Sequence, residues 1–474
     1  MDSTSAAGAA DRPNVSAELP TIYTPHTPSE IAAMLAVVGV DSLDDLVAVP
    51  DAVALRGPVS VAPARAESEI AATFAGLAAR APGSAYTSFL GAGTYRHYTP
   101  PVVAALAMRG EFLTAYTPYQ AEVSQGYLQA IYEWQTYISL LTGLDVANAS
   151  VYDGATALAE GAIMAVNATG RKALLVSAAV HPNYRSVLRT YAEGLDLVID
   201  ELNYAADGTT DLEGLEGRLA DKRYAAVIVQ SPNFFGAVDT PASRTAAIKA
   251  TGTLVIGVVA EALSLAALTP PARWGADIAV GEGQSFGVAM AYGGPHVGFI
   301  ATTTEHLRRI PGRLVGRTVD KAGAPAYTLT LQAREQHIRR EKATSNICTN
   351  QAHCALCATI YLAAMGQTGL RDCAAHNLAR ARELQTKVSA VGGVRLRFCA
   401  PTFNEFVVQV PGRASDVLTG LQRRRVLGGL DLGRFYPELA DCILMTATEL
   451  TTSDEIDLLV FALSEQVARA TARV

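Results

Sequence analysis

Apolar residues recur along this 474-residue chain with a spacing that sets its middle third apart from its ends. Short, continuous apolar runs in the middle third predict buried strands at residues 173–177, 197–200, 225–230 and 253–259. Helical patterns lie between these runs, at residues 184–193 and 212–219. This alternation predicts a mostly parallel sheet with helices on both of its faces.

The two ends of the chain have different patterns. Thr27 and Glu30 form a capping box with Pro28 at the first helical position, which predicts a helix start. A second capping box, Thr452 with Glu455, predicts the start of the last helix. Further helices are predicted at residues 66–80, 127–142, 369–391 and 415–424, and further strands at 406–410 and 443–447. We therefore predict a disordered tail (1–20), an N-terminal helical arm (21–80), a large α/β domain (81–335) and a small C-terminal α+β domain (336–474).

Composition and charge exclude several classes of function. Half of the residues are hydrophobic and 18% are charged, the balance of a soluble globular protein. The net charge is -7 without a basic stripe, so we expect no nucleic-acid partner. No run of about 18 uncharged apolar residues predicts a membrane span. The first residues lack the charged start and apolar core of a signal peptide, so a cytoplasmic location is expected.

The six cysteines do not form a disulfide framework. They are sparse for this length, which fits reduced thiols in a cytosolic protein. Cys354 and Cys357 make a single CxxC pair within the run AHCALCATIYLAAM. Without a second pair, this pattern indicates small buried side chains on a helix, and we predict no metal site.

The predicted architecture matches the fold-type I enzymes that use pyridoxal phosphate (PLP), the aspartate aminotransferase-like fold. Such a site needs a Gly-rich turn that opens a helix, a carboxylate after a strand, and a lysine for the Schiff base. The turn is predicted at residues 152–156, and Glu261 follows the strand predicted at 253–259. Just after a short strand at 276–280, where the lysine is expected, the chain has Gln284.

No other lysine is placed to take that role. Four of the six have polar or helical flanks: Lys172, Lys222, Lys249 and Lys387. Lys321 lies in a loop, and Lys342 lies in a polar segment past the expected strand end. Because an amide cannot form an imine, we expect this chain not to bind PLP covalently.

Several long motifs carry a resemblance to a known family. They are TAYTPYQAEVSQG at residues 114–126, EKATSNICTNQ at 341–351, YTPHTP at 23–28, FLGAG at 89–93 and GEGQSFG at 281–287. With them, the chain resembles the α subunit (subunit 1) of the two-subunit P-protein family, the glycine decarboxylase of the glycine cleavage system. Within these motifs the chain has Ala121, and after Glu261 it has Ala262, at positions where the family usually has proline. In that family's catalytic β subunit a histidine stacks on PLP and an aspartate pairs with its ring nitrogen; Thr156 and Glu261 take these places here.

The resemblance implies an oxidoreductase that acts as a complex. The expected assembly is an α2β2 heterotetramer whose β subunit carries PLP. It would decarboxylate glycine, release CO2 and pass the aminomethyl group to the lipoyl arm of H-protein. Because fold-type I enzymes build each active site from loops of two chains, a polar and aromatic cluster is expected to complete the partner's site: Tyr95, Tyr116, Tyr119, Gln120, Glu122, Ser124 and Gln125.

The residues leave other interpretations open. The cluster is also compatible with a structural loop held by tyrosine hydroxyls, in which case the chain is a scaffold for the β subunit. A self-sufficient PLP enzyme, such as an aminotransferase, is opposed by Gln284. A binding protein with a repurposed fold is opposed by the nearly complete set of motifs.

Overall fold

A computed structural model describes residues 25–46, 49–50, 52–53, 60–114, 117–343, 345–347 and 349–471. The predicted disordered tail and Tyr116 lie outside these residues. The chain divides into two compact units between Ala81 and Pro82. The boundary near residue 335, between a large and a C-terminal domain, stays a prediction.

The first unit contains helices α1 (Pro28–Val38) and α2 (Glu67–Ala79). The predicted capping box at α1 is confirmed: the Thr27 hydroxyl accepts from the Glu30 N–H, and Glu30 Oε2 accepts from the Thr27 N–H at 2.7 Å. Gly39 ends α1 in the left-handed conformation, with φ of 84°. Local sequence signals therefore determine where this helix begins and ends.

The second unit contains the remaining helices and all the strands that the structure describes. Its helices are α3 (Pro101–Ala107), α4 (Gly110–Leu113), α5 (Gln125–Thr142), α6 (Gly154–Thr169), α7 (Pro182–Glu193), α8 (Leu215–Leu219), α9 (Thr245–Ala250), α10 (Gln336–Arg339), α11 (Ala352–Ser389), α12 (Ala414–Gln422) and α13 (Ser453–Thr471). Its strands are β1 (Thr87–Ser88), β2 (Val146–Ala147), β3 (Ala173–Ser177), β4 (Val198–Leu202), β5 (Tyr224–Gln230), β6 (Leu254–Val259), β7 (Ile278–Glu282), β8 (Gly298–Thr302), β9 (Leu314–Val319), β10 (Pro325–Thr330), β11 (Arg395–Leu396), β12 (Glu405–Gln409), β13 (Val426–Leu427), β14 (Leu430–Asp431) and β15 (Cys442–Thr446). Among the described helices, none combines the length and apolarity needed to cross a membrane.

The central sheet has seven strands in the order β2-β8-β7-β6-β5-β3-β4. Strands β3 to β7 are mutually parallel, whereas β8 runs antiparallel to both of its neighbours. The mostly parallel sheet predicted from the sequence is therefore confirmed. The carboxyl ends of five parallel strands lie along one edge, where α/β folds place their ligands.

Helices cover both faces of this sheet, as predicted. On one face, apolar residues of α6 and α7 pack with those of β3, β5, β6 and β7. On the opposite face, α5 and α11 pack over β7 and β8, with Trp134 fully buried. The predicted helix at 212–219 is shorter than expected because Gly214 has a left-handed conformation, so that α8 begins at Leu215.

The C-terminal part forms a second layer. Strands β11, β12, β15 and β14 make an antiparallel sheet, and α12, α13 and the end of α11 share its core. Within α11 the backbone is non-helical at Gly366, so a helical half that carries Cys354 and Cys357 joins the half predicted at 369–391. Cys354 is buried and Cys357 is half-buried, as expected for small side chains packed on a helix.

Close packing of α6 on β7 gives a test of the sheet's core. A Cβ atom at Gly161 of α6 would lie 2.7 Å from Val280 Cγ1 on β7, whereas a Cβ at Gly217 of α8 would meet nothing within 4 Å. We expect Gly161→Ala to lower the free energy of unfolding by about 1–2 kcal/mol, because overpacking outweighs the gain in helix propensity. The matched change Gly217→Ala should be neutral or stabilising in thermal unfolding. Equal effects of both changes would contradict this description of the packing.

Candidate functional site

The carboxyl edge of the central sheet contains a cleft of about 350 Å³. Asp153, from the turn before α6, and Glu282, at the end of β7, line it together with three aromatic side chains, His181, Tyr184 and His296. The turn at residues 152–156, which the sequence predicted as the phosphate turn of a PLP site, lines this cleft. A PLP site in this fold needs suitable groups at three places: the phosphate turn, the lysine position and the carboxylate after β6.

Carboxylates occupy the phosphate turn. Asp153 caps α6 and accepts from the Thr156 N–H at 2.7 Å. Glu282 Oε2 accepts from the Gly154 N–H at 2.9 Å. A helix N-terminus attracts anions, but here two acidic side chains already satisfy its N–H groups and would repel a phosphate.

The side chain at the lysine position is fully engaged. Gln284 Oε1 accepts from the Tyr95 N–H at 3.0 Å, and Gln284 Nε2 donates to the carbonyl oxygens of Tyr95 (3.1 Å) and Val288 (2.8 Å). Its side chain is buried. The amide cannot form an imine, and the hydrogen bonds hold it in the chain's own interior.

The carboxylate after β6 has internal partners too. Glu261 Oε2 lies 3.0 Å from His97 Nε2 and 3.0 Å from Asn404 Nδ2, and Glu261 Oε1 accepts from the Leu263 N–H at 2.9 Å. With all three places engaged inside the chain, the residues do not fit PLP.

His97 carries the positive charge of this site. Its other ring nitrogen, Nδ1, lies 2.8 Å from Glu449 Oε2, so that a buried imidazole stands between two carboxylates. Burial alone would lower the pKa of His97, but the charge and hydrogen bond of Glu261, aided by those of Glu449, outweigh it and raise the pKa to about 10. His97 is therefore an imidazolium at neutral pH, and both of its nitrogens donate.

Tyr95 is buried beside this ion pair, with 3% of its surface exposed. Its hydroxyl donates to Glu405 Oε2 at 2.7 Å. Glu405 Oε1 accepts from the Ala92 N–H (2.6 Å) and the Thr446 hydroxyl (2.9 Å). Burial raises the pKa of Glu405 to about 7 in spite of these donors. The structure thus places Tyr95 in a network within its own chain.

The other members of the predicted cluster have separate contacts. Tyr119 is 56% exposed, and its hydroxyl accepts from Arg313 Nη2 at 3.1 Å. Gln120 and Glu122 are exposed, and Ser124 is half-buried. Gln125 is bonded through both amide atoms to the backbone of Tyr327 on β10, which fixes the start of α5. Residues 119–125 therefore form one segment, to which Tyr95 does not belong.

Sequence reasoning missed much of this site. Thr156 lies within α6, and the histidines that line the cleft are His181, at the start of α7, and His296. Burial lowers the pKa of His181 to about 4, so the ring is neutral; its Nε2 bonds the Ala92 carbonyl oxygen at 2.8 Å. Glu282 and Glu405 were not singled out either, although an acidic residue at the end of an apolar strand run is a usable signal.

Among the described residues, no group of three or more histidine, cysteine, aspartate or glutamate side chains is arranged to hold a metal ion. Asp153, Glu261 and Glu282 are instead paired with His97 and with backbone N–H groups.

The charge on His97 predicts a pH-dependent stability. Because its folded pKa is raised, its contribution is fully present below its unfolded pKa of about 6.5 and is lost as pH rises towards 10. We expect His97→Gln to lower the free energy of unfolding by about 3 kcal/mol or more near neutral pH, because two buried carboxylates lose their counter-ion. The difference from the unmodified chain should shrink as pH rises towards 10 in denaturant titrations.

The matched control is His353→Gln, since His353 lies exposed on α11. We expect that change to have little effect at either pH. A difference between His97→Gln and the unmodified chain that stays constant with pH would contradict a buried imidazolium.

Comparison with known proteins agrees with the fold. The family model described as glycine cleavage system P-protein matches residues 21–463. A protein of Carboxydothermus hydrogenoformans described as "Probable glycine dehydrogenase (decarboxylating) subunit 1" is 50% identical over 442 residues, covering 92% of this chain and 98% of its own. A Solibacter usitatus protein with the same description is 48% identical over 455 residues, covering 95% and 99%.

Solved structures give the same result. A crystal structure of glycine decarboxylase (P-protein) in inhibitor-bound form matches with a TM-score of 0.85 and 45% identity, over 94% of this chain and all of that chain. A sphingosine-1-phosphate lyase of Burkholderia pseudomallei, at 14% identity and a TM-score of 0.64, shares the fold alone. The predicted fold-type I architecture is confirmed, and the chain belongs to the glycine cleavage system P-protein family.

Proposed function

We propose that this chain is subunit 1 of a two-subunit glycine decarboxylase. In it, a homologous PLP-bearing partner decarboxylates glycine, CO2 is released, and the aminomethyl group passes to the lipoyl arm of H-protein. One observation carries the proposal. The chain matches subunit 1 relatives over nearly its whole length, yet the groups at its three cofactor positions bind one another and the chain's own backbone. The assembly is an α2β2 heterotetramer in the cytoplasm.

The cofactor supplies an electron sink on the partner, and this chain supplies binding groups and a surface. In the segment of residues 119–122, the side chains of Tyr119, Gln120 and Glu122 are exposed, and they are the part of the predicted cluster that can reach another chain. Glycine has almost no side chain, so its orientation must come from its carboxylate and amine. A tyrosine hydroxyl can hold a carboxylate by a neutral hydrogen bond while its ring excludes water. Tyr119, with Arg313 against its hydroxyl and ring, suits this task.

Tyr95 has a different role in this proposal. Its hydroxyl is committed to Glu405 and its backbone to Gln284, so it acts from inside the chain. Gln125 holds the base of the exposed segment at the start of α5, whereas the N-cap residue Ser124 makes no side-chain hydrogen bond to the helix. Of the seven residues expected to complete the partner's site, we propose that Tyr119, Gln120 and Glu122 face the partner. Tyr116, outside the described residues, stays a prediction.

An exposed apolar surface between these two segments fits the partner subunit. It consists of side chains before, on and after α3 and on α4, each 38–63% exposed: Tyr98, Val102, Leu106, Met108 and Leu113. Exposed apolar side chains clustered along the chain favour an interaction site, and obligate interfaces are large and apolar. The surface directly follows the segment that contains Tyr95 and His97 and precedes the exposed segment 119–122. One partner can therefore cover all three, which favours the homologous subunit.

The alternative is a scaffold that adds no group to the active site. The internal bonds of Tyr95 and Gln125 favour this alternative for those two residues, and the exposed Tyr119 opposes it. Gln284 continues to oppose a self-sufficient PLP enzyme.

Reconstitution tests the proposal. We expect exchange of labelled bicarbonate into glycine, with lipoylated H-protein present, only when this chain and the PLP-bearing partner are combined. Tyr119→Phe should lower kcat/KM for glycine about tenfold, ~1.4 kcal/mol, while assembly and the partner's PLP content stay unchanged.

The control is Tyr137→Phe, which removes a hydroxyl from a half-buried tyrosine on α5 outside the proposed site. It should keep full activity. Full activity of the partner alone would refute the two-subunit proposal, and full activity of Tyr119→Phe would support the scaffold alternative.

A further inference from the structure

Gln284 and Glu261 stand where a catalytic chain of this fold carries lysine and aspartate. Both side chains bind the same segment of this chain. Gln284 binds the backbone of Tyr95, and Glu261 binds the side chain of His97. These two contacts lie two residues apart on a segment, residues 91–98, that has no helix or strand of its own. Both altered positions therefore act on one short piece of irregular backbone.

Gln284 makes a two-way bond to Tyr95: its amide oxygen accepts from the backbone N–H and its amide nitrogen donates to the backbone carbonyl. The same kind of bond fixes a helix to a hairpin elsewhere in this chain. Gln135 on α5 accepts from the Val315 N–H at 2.9 Å and donates to the Val315 carbonyl at 3.0 Å. Gln125 does the same with Tyr327. In both of those cases the glutamine fixes α5 to the hairpin β9–β10. At Gln284 the same device ties residues 91–98 to the end of β7.

The C-terminal layer holds the segment from its other side. Glu405 on β12 binds the Ala92 N–H and the Tyr95 hydroxyl, and the Thr448 hydroxyl donates to the Arg96 carbonyl at 2.7 Å. Glu449 binds both His97 and the Tyr98 N–H, the latter at 2.6 Å. The backbone is thus fixed up to Tyr98.

The side chain of Tyr98 is the first group of the segment to leave this network. It is 49% exposed and begins the apolar surface assigned above to the partner subunit. Three residues later, α3 begins at Pro101. Fixing residues 91–98 therefore fixes where Tyr98 and the start of α3 meet the partner.

We propose that Gln284 and Glu261 are positioning residues that hold Tyr98 against the partner subunit, so that the partner's active site is complete. This inference rests on the proposed function. It also implies that Gln284→Lys gains no cofactor and loses the two-way bond to Tyr95, so that this change lowers the activity of the complex.

The test uses the reconstituted complex and the variant Gln284→Met, which keeps the length of the side chain but removes its hydrogen bonds. Gln135→Met is the matched control, because it removes an equivalent buried two-way bond elsewhere. Both variants should lower the melting temperature by similar amounts. Only Gln284→Met should speed amide hydrogen exchange at residues 96–98, by tenfold or more, and only it should lower kcat for glycine–bicarbonate exchange, by about tenfold.

A double-mutant cycle with Tyr98→Ala separates positioning from general stability. If Gln284 acts through Tyr98, the loss of kcat from Gln284→Met should largely disappear in the Tyr98→Ala background. Independent, multiplying effects of the two changes would overturn the inference, as would equal losses of kcat in Gln284→Met and Gln135→Met.

Should Gln284→Met fail to fold, Glu261→Gln replaces it, since it removes the charge that pairs with His97 and keeps the size of the side chain; the same pattern is expected. An unmodified complex without exchange activity refutes the proposed function, and unchanged hydrogen exchange at residues 96–98 in Gln284→Met then refutes the hold on the segment separately.

Discussion

Buried polar groups at the carboxyl edge of the central sheet pair with groups of the C-terminal layer and so join the two parts of the fold. Glu261, Glu282 and Glu405 are all almost fully buried there. A buried carboxylate without donors would cost several kcal/mol, so each must find partners. In a PLP enzyme of this fold the cofactor lies at this edge and supplies some of those partners. Here three kinds of donor supply them: the imidazolium of His97, backbone N–H groups that include that of Gly154 at the start of α6, and the hydroxyls of Tyr95 and Thr446.

This internal pairing is separate from the contacts that build the central sheet. Backbone hydrogen bonds join its strands, and apolar side chains pack the helices against its two faces. The edge of the sheet needs donors, and a single imidazolium between Glu261 and Glu449 provides two of them. The same bonds fix residues 91–98 in front of the apolar surface at α3. Stability of the chain and presentation of a surface to the partner thus share one set of contacts.

The sequence predicted those parts of the molecule that depend on local pattern. Strand β3 has the predicted bounds, and the capping box at Thr27 and the turn at Gly39 gave the ends of α1. Strand β7 ends two residues later than predicted, because Gly281 and Glu282 are buried and continue the ladder with β8. Gln284 is predicted to stand in the place of the lysine because it comes shortly after the apolar run at residues 276–280.

What the sequence could not give was the set of contacts between residues far apart in the chain. Tyr95 looked like part of one cluster with Tyr119 because both lie in tyrosine-rich, loop-like sequence. Its partner Glu405 is 310 positions away, and only the docking of β12 beside the central sheet brings them together. His97 shows the same limit, since its two carboxylates come from opposite layers of the fold. Spacing along the chain carries no information on such pairs.

In the function proposed here, this chain has exchanged a cofactor site for a surface that serves its partner's site. Borohydride reduction of the assembled complex, followed by peptide mapping of both subunits, distinguishes the two chains, because reduction fixes PLP to the lysine that holds it. We expect a phosphopyridoxyl label on one lysine of the partner and none in stoichiometric yield on this chain. A stoichiometric label on any lysine of this chain, Lys342 included, would contradict it.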